Sequence, residues 1–444
     1  MPLFPRILLR PFDAEKWLKM FATLFFHFSE HPRFRRGLTL FMRRDDPDAS
    51  EDSSDELADN LHALHRLQTD LRLLQYHFPD LYADHGPDMM LDLAIRKHNH
   101  RLRLPPPAPF DLRQVADHHS TFRFSYYAIM AIATALLPSA IVTSCRCQCD
   151  GSVALAVLLY RHTWPTRWVT ASSFFGRSPA WLSGVYHWVL DHLHVIASAI
   201  LLDPIVPYIS ESGLYDIDAA VTYFRKEWGF DVYGMVDGTT FRIARPTVGE
   251  SEVYSYYKHC HALNSLFLNT MDGIVAHVCG PFPGRYSDAA CAIAAEFECT
   301  LSGLRTLIEA AGISSPCIIG DSGFALSDSI ITPWSKRNFR ILTAREKMFN
   351  FLLSRERIGA EWAVLTVKST WRGLAMPIQH QLGRTKPDKA QLLSVLLANI
   401  HVCTYGRQHE SYYNCYAPSL EDYLQFLSNY CRHRRVPTTT DACE

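Results

Sequence analysis

Val232-Tyr233-Gly234-Met235-Val236-Asp237-Gly238-Thr239 and Cys317-Ile318-Ile319-Gly320-Asp321-Ser322-Gly323-Phe324 are two apolar runs that each end on an aspartate. Short apolar runs closed by glycine read as buried strands. A third acidic string, Glu361-Trp362, opens an amphipathic helical stretch, with Val364, Leu365 and Lys368 behind it at helical spacing. Carboxylates at two strand ends and on a nearby helix can converge, and such a trio needs cations or protons to coexist. Hard oxygen donors without an attendant His-Cys set point to magnesium or manganese rather than zinc. Two such ions about 3.5–4 Å apart are the usual machinery for in-line displacement at phosphorus.

The intervening pattern says how the aspartates could meet. After the run ending in Asp237 comes Phe241-Arg242-Ile243, then a polar loop, and then an apolar stretch from Ala262 to Asn269. A Met271-Asp272-Gly273 turn leads into the strand Ile274 to Val278, and Asp-Gly between apolar runs is a good hairpin signal. Asp288-Ala289 starts a helix running to about Phe297, Leu301 to Ala311 reads as another, and Cys317 to Gly320 is the strand that delivers Asp321. Three strands, helix, strand, helix is the order of a ribonuclease-H-like α/β mixed sheet. In that arrangement the first and fourth strands lie side by side, so Asp237 and Asp321 would be neighbours. Asp288 is a secondary candidate for the cluster, but at a helix start it reads first as an N-cap.

Bulk properties limit the alternatives. With 444 residues the chain has room for two or three domains, and its formal net charge of -1 gives no global attraction to nucleic acid. DNA binding must then come from local patches. The longest apolar stretch, Tyr126 to Val142, carries Pro138 and reads as a buried helix ending before the proline, not as a membrane span. The N-terminal apolar run is too short for a secretory signal, and the 12 cysteines are expected to be reduced thiols, so the chain is read as soluble.

Three regions follow from the composition shifts. Residues 1–109 form a variable, helical N-terminal region with an acidic linker at 45–59, closed by the proline cluster at 105–109. Residues 110–205 read as an all-α domain, 215–432 as the α/β domain with C-terminal helices, and 433–444 as a tail. In the helical domain one helix covers Gly151 to Tyr160 and a second Trp168 to Phe174. Gly176 then supplies a turn, Ser178 an N-cap and Pro179 a first-turn proline. The third helix carries Leu182, Val185, Tyr186, Val189, Leu190 and Leu193 on its buried face. This pattern fits a helix-turn-helix, with Arg177, Trp181 and His187 projecting into a major groove, and fits an ordinary helical bundle equally well. Arg355, Arg357, Lys368 and Arg372 surround the third acidic motif and could contact phosphates, or simply solvate a helix face.

These residues resemble the PIF/Harbinger transposases and the nuclease-like proteins derived from them, over roughly residues 110–430. The resemblance rests on Val236-Asp237-Gly238-Thr239, Tyr257-Lys258-His259-Cys260-His261-Ala262-Leu263, Pro283-Gly284-Arg285-Tyr286-Ser287-Asp288, Gly320-Asp321-Ser322-Gly323-Phe324 and the helix from Glu361 to Lys368. It departs at Ser287, where a histidine is common, and at Ala363-Val364, where an aromatic is common. The resemblance implies a DDE endonuclease or transposase with Asp237, Asp321 and Glu361 as catalytic metal ligands for two Mg2+ (or Mn2+) ions. It implies phosphodiester hydrolysis and strand transfer on double-stranded DNA bearing terminal inverted repeats. It also implies a homo-oligomer on DNA, a Myb-like accessory protein and a nuclear setting, with the cytoplasm also open. The alternative is a domesticated, catalytically silent DNA-binding or regulatory protein that keeps the fold. A structural zinc site is poorly supported, because Cys145, Cys147 and Cys149 lack the usual gaps and a partner histidine pair. No Gly-x-Ser-x-Gly elbow or nucleotide loop is present.

Overall fold

A computed structural model of the protein describes residues 110–433 apart from 144–146, 165, 336–340 and 378–379. The expectations for residues 1–109, the tail beyond 433 and Cys145 lie outside the described residues.

Helix α1 (Tyr126–Leu136) is capped by Ser125, whose side chain accepts from the Ala128 N–H, and it stops before Pro138 as the sequence predicts. Proline disfavours a helical conformation in the residue before it, and Leu137 is accordingly extended. The segment after it is not helical. Strands β1 (Ala140–Val142) and β2 (Gln148–Asp150) pair as a two-stranded antiparallel ribbon. Helix α2 (Gly151–Thr163) follows, then α3 (Trp168–Phe175), which ends on Gly176 in the left-handed conformation at φ 60°. Ser178 caps α4 (Pro179–Leu201), with Pro179 at the first position. The six side chains from Leu182 to Leu193 that the periodicity selects are all buried. Among the described residues no helix is long and apolar enough to cross a membrane.

Helix α5 (Ile217–Trp228) leads into β3 (Val232–Arg242), followed by β4 (Tyr254–Ser255), β5 (Cys260–Asn269) and β6 (Val275–Pro283). Then come α6 (Asp288–Ala294), α7 (Phe297–Ala310), β7 (Cys317–Ile319) and β8 (Ile330–Ile331). The chain finishes with α8 (Ala344–Glu356), α9 (Ile358–Thr370), α10 (Pro387–Tyr405) and α11 (Leu420–His433). The helical stretch after Asp288 breaks earlier than the sequence predicts: Glu296 adopts φ 50°, and α7 begins at Phe297 rather than Leu301.

β3 is the hinge of the sheet. It pairs antiparallel with β5 on one side and parallel with β7 on the other, β5 pairs antiparallel with β6, and β7 pairs parallel with β8. The first and fourth strands of the expected order are therefore adjacent. Val232 to Val236 are buried without alternation, which is the pattern of a strand covered on both faces. α10 is buried along nearly its whole length and packs against α4, α11 and β6. Buried side chains of the helical segment and of the sheet belong to one continuous core.

Two buried polar devices fix the hairpin between β5 and β6. The fully buried Asp272 carboxylate accepts from Tyr208 Oη (2.6 Å), Thr270 Oγ1 (2.6 Å) and the Ile274 N–H (3.1 Å). Asn399 on α10 accepts from the Val275 N–H and donates to the Val275 carbonyl, both at 2.9 Å, which satisfies the backbone of β6 where the strand begins. Asp272→Ala would leave the buried Tyr208 hydroxyl and Ile274 N–H without an acceptor, while Thr270 Oγ1 keeps the Ile274 carbonyl at 2.9 Å, and is expected to destabilise the protein by about 3 kcal/mol. Chemical denaturation of the variant against wild type measures this, and a loss under about 1 kcal/mol would show the carboxylate is dispensable.

Candidate active site

The sheet brings the two aspartates together through register. Met235 on β3 pairs with Ile319 on β7, and each aspartate lies two residues beyond its paired partner. Side chains two apart on a strand share a face, and neighbouring strands are about 4.8 Å apart. Asp237, midway along β3 and not at the strand end that the sequence predicts, and Asp321, just past the end of β7, therefore lie side by side. Asp321 sits in a tight turn in which its Oδ1 accepts from the Gly323 N–H at 2.8 Å. A Cβ on Gly323 would approach that oxygen to 2.9 Å, so the glycine leaves room for the turn.

Glu361 comes from the first turn of α9. Arg357, one turn earlier, links it to the strand: Nη1 lies 3.1 Å from Asp237 Oδ1 and Nη2 lies 3.0 Å from Glu361 Oε1. Both carboxylates are thus within hydrogen-bond reach of one guanidinium.

Asp288 joins them. The sequence reads it as an N-cap, but Ser287 takes that role, with extended backbone and a side chain that accepts from the Ala290 N–H. A cap must lie just outside the helix, and Asp288 is already its first helical residue. Its carboxyl lies over Gly238, where a Cβ would come within 2.2 Å of Asp288 Oδ1. This close approach explains the glycine after Asp237. Asn264 holds the turn that delivers Asp288: it donates to the carbonyls of Gly284 (3.2 Å) and Tyr286 (2.8 Å) and accepts from Thr240 Oγ1 (2.7 Å). Lys258 Nζ in turn donates to Thr240 Oγ1.

The electrostatics follow from this proximity. The Asp237 carboxyl is held above its usual range by burial, with the Arg357 charge opposing and Asp321, Asp288 and Glu361 adding to the rise. Asp288 is raised by burial and by Asp321, against the pull of Lys258. Lys368, about two turns along the same face of α9 from Glu361, lies over the Phe241 ring at 5.3 Å. Burial, then Lys258, push its ammonium down to about 8, while Asp237 resists.

Other candidates fall elsewhere. Arg357 faces the carboxylates and not an open DNA surface, because two anions within reach outcompete water. Arg355 pairs with the fully buried Glu356 at 2.7 Å, away from the cluster. Arg372 is exposed beside Arg123. In the helical segment Arg177 lies over Trp181 at 5.3 Å, and the indole is partly packed on the core. His187 does not project freely: its ring lines a cavity, and its Nδ1 is buried without a partner. Position in the helix turn gave these three to the sequence reading, while packing by neighbouring segments decides what each one faces. Asn264 and Lys258 are positioning residues that spacing alone does not single out, although Lys258 lies in the string Tyr257 to Leu263.

As arranged, no three His, Cys, Asp or Glu side chains among the described residues are gathered closely enough to hold a metal ion. The donor type nevertheless fits a hard divalent cation, since four oxygen-bearing carboxylates repel one another and a cation already stands between two of them. No curated protein and no solved structure matches the chain. Residues 236–399, which carry all four carboxylates, match the family model described as DDE superfamily endonuclease, so likeness to that superfamily covers the whole acidic site.

Proposed function

We propose that the protein is a metal-dependent DNA endonuclease of the PIF/Harbinger transposase type, cutting phosphodiesters at the cluster of Asp237, Asp321 and Glu361. The observation that carries this reading is the convergence of these carboxylates, with Asp288, from two adjacent parallel strands and two helix starts. Divalent cations of the magnesium or manganese type, when bound, activate the attacking oxygen and stabilise charge on the leaving 3′-oxygen. Asp237 and Asp321 would hold them, Glu361 would complete the set, and Asp288 is a fourth oxygen donor within the same field. Arg357 must then release at least one carboxylate, and its freed guanidinium is a bidentate partner for a DNA phosphate. Lys368 contributes positive charge beside Asp237, where an anionic backbone would otherwise be repelled. Strand transfer of a 3′-hydroxyl into target DNA, inverted terminal repeats as substrate, a homo-oligomer on DNA, a Myb-like partner and work in the nucleus belong to the same reading.

A second reading, a domesticated DNA-binding protein without catalysis, has one observation in its favour. An arginine bridging two of the three carboxylates is also what a retired site would show. Incubation of the full chain with a supercoiled plasmid bearing inverted terminal repeats separates the two. Nicking with magnesium and none with chelator supports the nuclease. DNA binding with no nicking in magnesium or manganese overturns it.

A further inference from the structure

A second site lies away from the carboxylates, where the end of α2, α3 and α4 meet the segment between α9 and α10. Gly373 makes the junction: a Cβ there would fall within 2.6 Å of the Arg161 carbonyl, so the two backbones touch. Between them is a cavity of about 40 Å³, lined by Arg161, His162, Trp168, His187, His380 and Thr385 among others. That is room for about three water-sized spheres, enough for one small oxyanion but not for a nucleobase. Arg161, Trp168, His187 and Thr385 keep partial exposure, so the cavity is reachable from solvent.

Arg161 is the unusual member. Its Nη1 donates to the Thr166 carbonyl and its guanidinium lies over the Trp168 ring at 4.6 Å. No carboxylate among the described residues forms an ion pair with it, and burial lowers its pKa. A half-buried guanidinium without a counter-charge is costly, and its five N–H donors are mostly unspent. The imidazoles supply no negative charge either. His162 Nδ1 meets Ser394 Oγ at 2.9 Å, His380 Nε2 meets the Gly373 carbonyl at 3.0 Å, and His187 Nδ1 has no partner. Beside the cavity, Asp191 is shared by Lys386 and Lys389, leaving a surplus of positive charge.

We infer that this cavity binds a single phosphate group, with Arg161 as its charged anchor and His187 as a polar ligand at the mouth. The phosphate could come from a DNA backbone or from free orthophosphate, and the chemistry of recognition is the same. Only the DNA source rests on the nuclease reading.

The test uses the full chain, as wild type and as Arg161→Gln and His187→Leu. Thermal unfolding is followed in sodium phosphate and in sodium chloride at equal ionic strength. Binding to a short duplex is followed against salt concentration. Phosphate is expected to raise the wild-type midpoint above that in chloride, and each variant to weaken the effect by roughly tenfold in phosphate concentration. If the DNA backbone is the source, Arg161→Gln also lowers the slope of log affinity against log salt by about 0.9. If that slope is unchanged while the phosphate effect is lost, free phosphate is the ligand. Should Arg161→Gln fail to fold, His187→Leu decides alone. A wild-type midpoint indifferent to phosphate, with salt slopes equal in all proteins, overturns the site. So does a phosphate effect retained in every variant that folds. Cleavage is not a readout here, so failure of the nuclease reading is seen separately.

Discussion

Asp321→Asn is expected to reduce magnesium-dependent nicking by roughly a thousandfold or more while leaving the fold intact. The substitution is nearly isosteric, and the amide oxygen can still accept from the Gly323 N–H that holds the turn. It also removes one of the charges that push Asp237 and Asp288 above their usual range. The metal-free variant should therefore be as thermally stable as wild type or slightly more so, because the cluster loses repulsion. Magnesium should stabilise the wild type and not the variant, since a ligand that binds only the folded state raises its midpoint. Nicking assays and thermal unfolding, each with and without magnesium, check both halves. A variant that cuts at the wild-type rate would remove Asp321 from the chemistry. One that cannot fold would show that the aspartate is a structural residue.

Acid is expected to unfold the protein well above the carboxylate range. Burial holds the imidazoles of His162 and His401 down to about 3 and that of His277 down to about 4. Their surroundings require neutral rings: Arg407 donates to His401 Nδ1 at 3.0 Å, and His277 Nδ1 is buried without a partner. The folded-state pKa values are depressed below the ordinary 6.5, so the unfolded chain takes up protons that the native state refuses. Stability is full above about pH 6.5 and falls as pH drops toward the folded values. Each of the three costs about 2 kcal/mol between pH 6.5 and pH 5, a large part of a typical total of about 5–15 kcal/mol. Urea midpoints measured at pH 7.5 and pH 5 check the sign. A midpoint that is flat or rises toward pH 5 would contradict it. His162→Gln should flatten the dependence, with its own cost at pH 7.5.

The strands and capped helices were readable because each is a local signal. Asp272-Gly273 specifies a hairpin by its left-handed glycine, and Ser178-Pro179 specifies a helix start through one cap and one fixed φ. The Asp321 position is readable for a related reason, since it lies just past the end of β7, whereas Asp237 sits midway along β3 because that strand runs on through Gly238 to Arg242 in its pairing with β5. Asp288 was misread because capping is decided by one residue of backbone conformation, and Ser287 can cap as well as aspartate. The break at Glu296 and the pairing of β1 with β2 are not legible in the sequence because packing, not propensity, sets them.

Sequence alone determined the order of the long strands β3, β5 and β6, the helical stretch after them and β7, and the identity of the acidic residues, since these are written in local periodicity and in side chains that no neighbour can change. Tertiary structure alone decided that Asp237 and Asp321 share a face, that Gly238 makes way for Asp288, and that Arg357 spans Asp237 and Glu361. It likewise turned His187 and Arg161 toward a common cavity instead of open solvent. Those outcomes depend on strand register and on backbones meeting across long sequence separations, which no local pattern encodes.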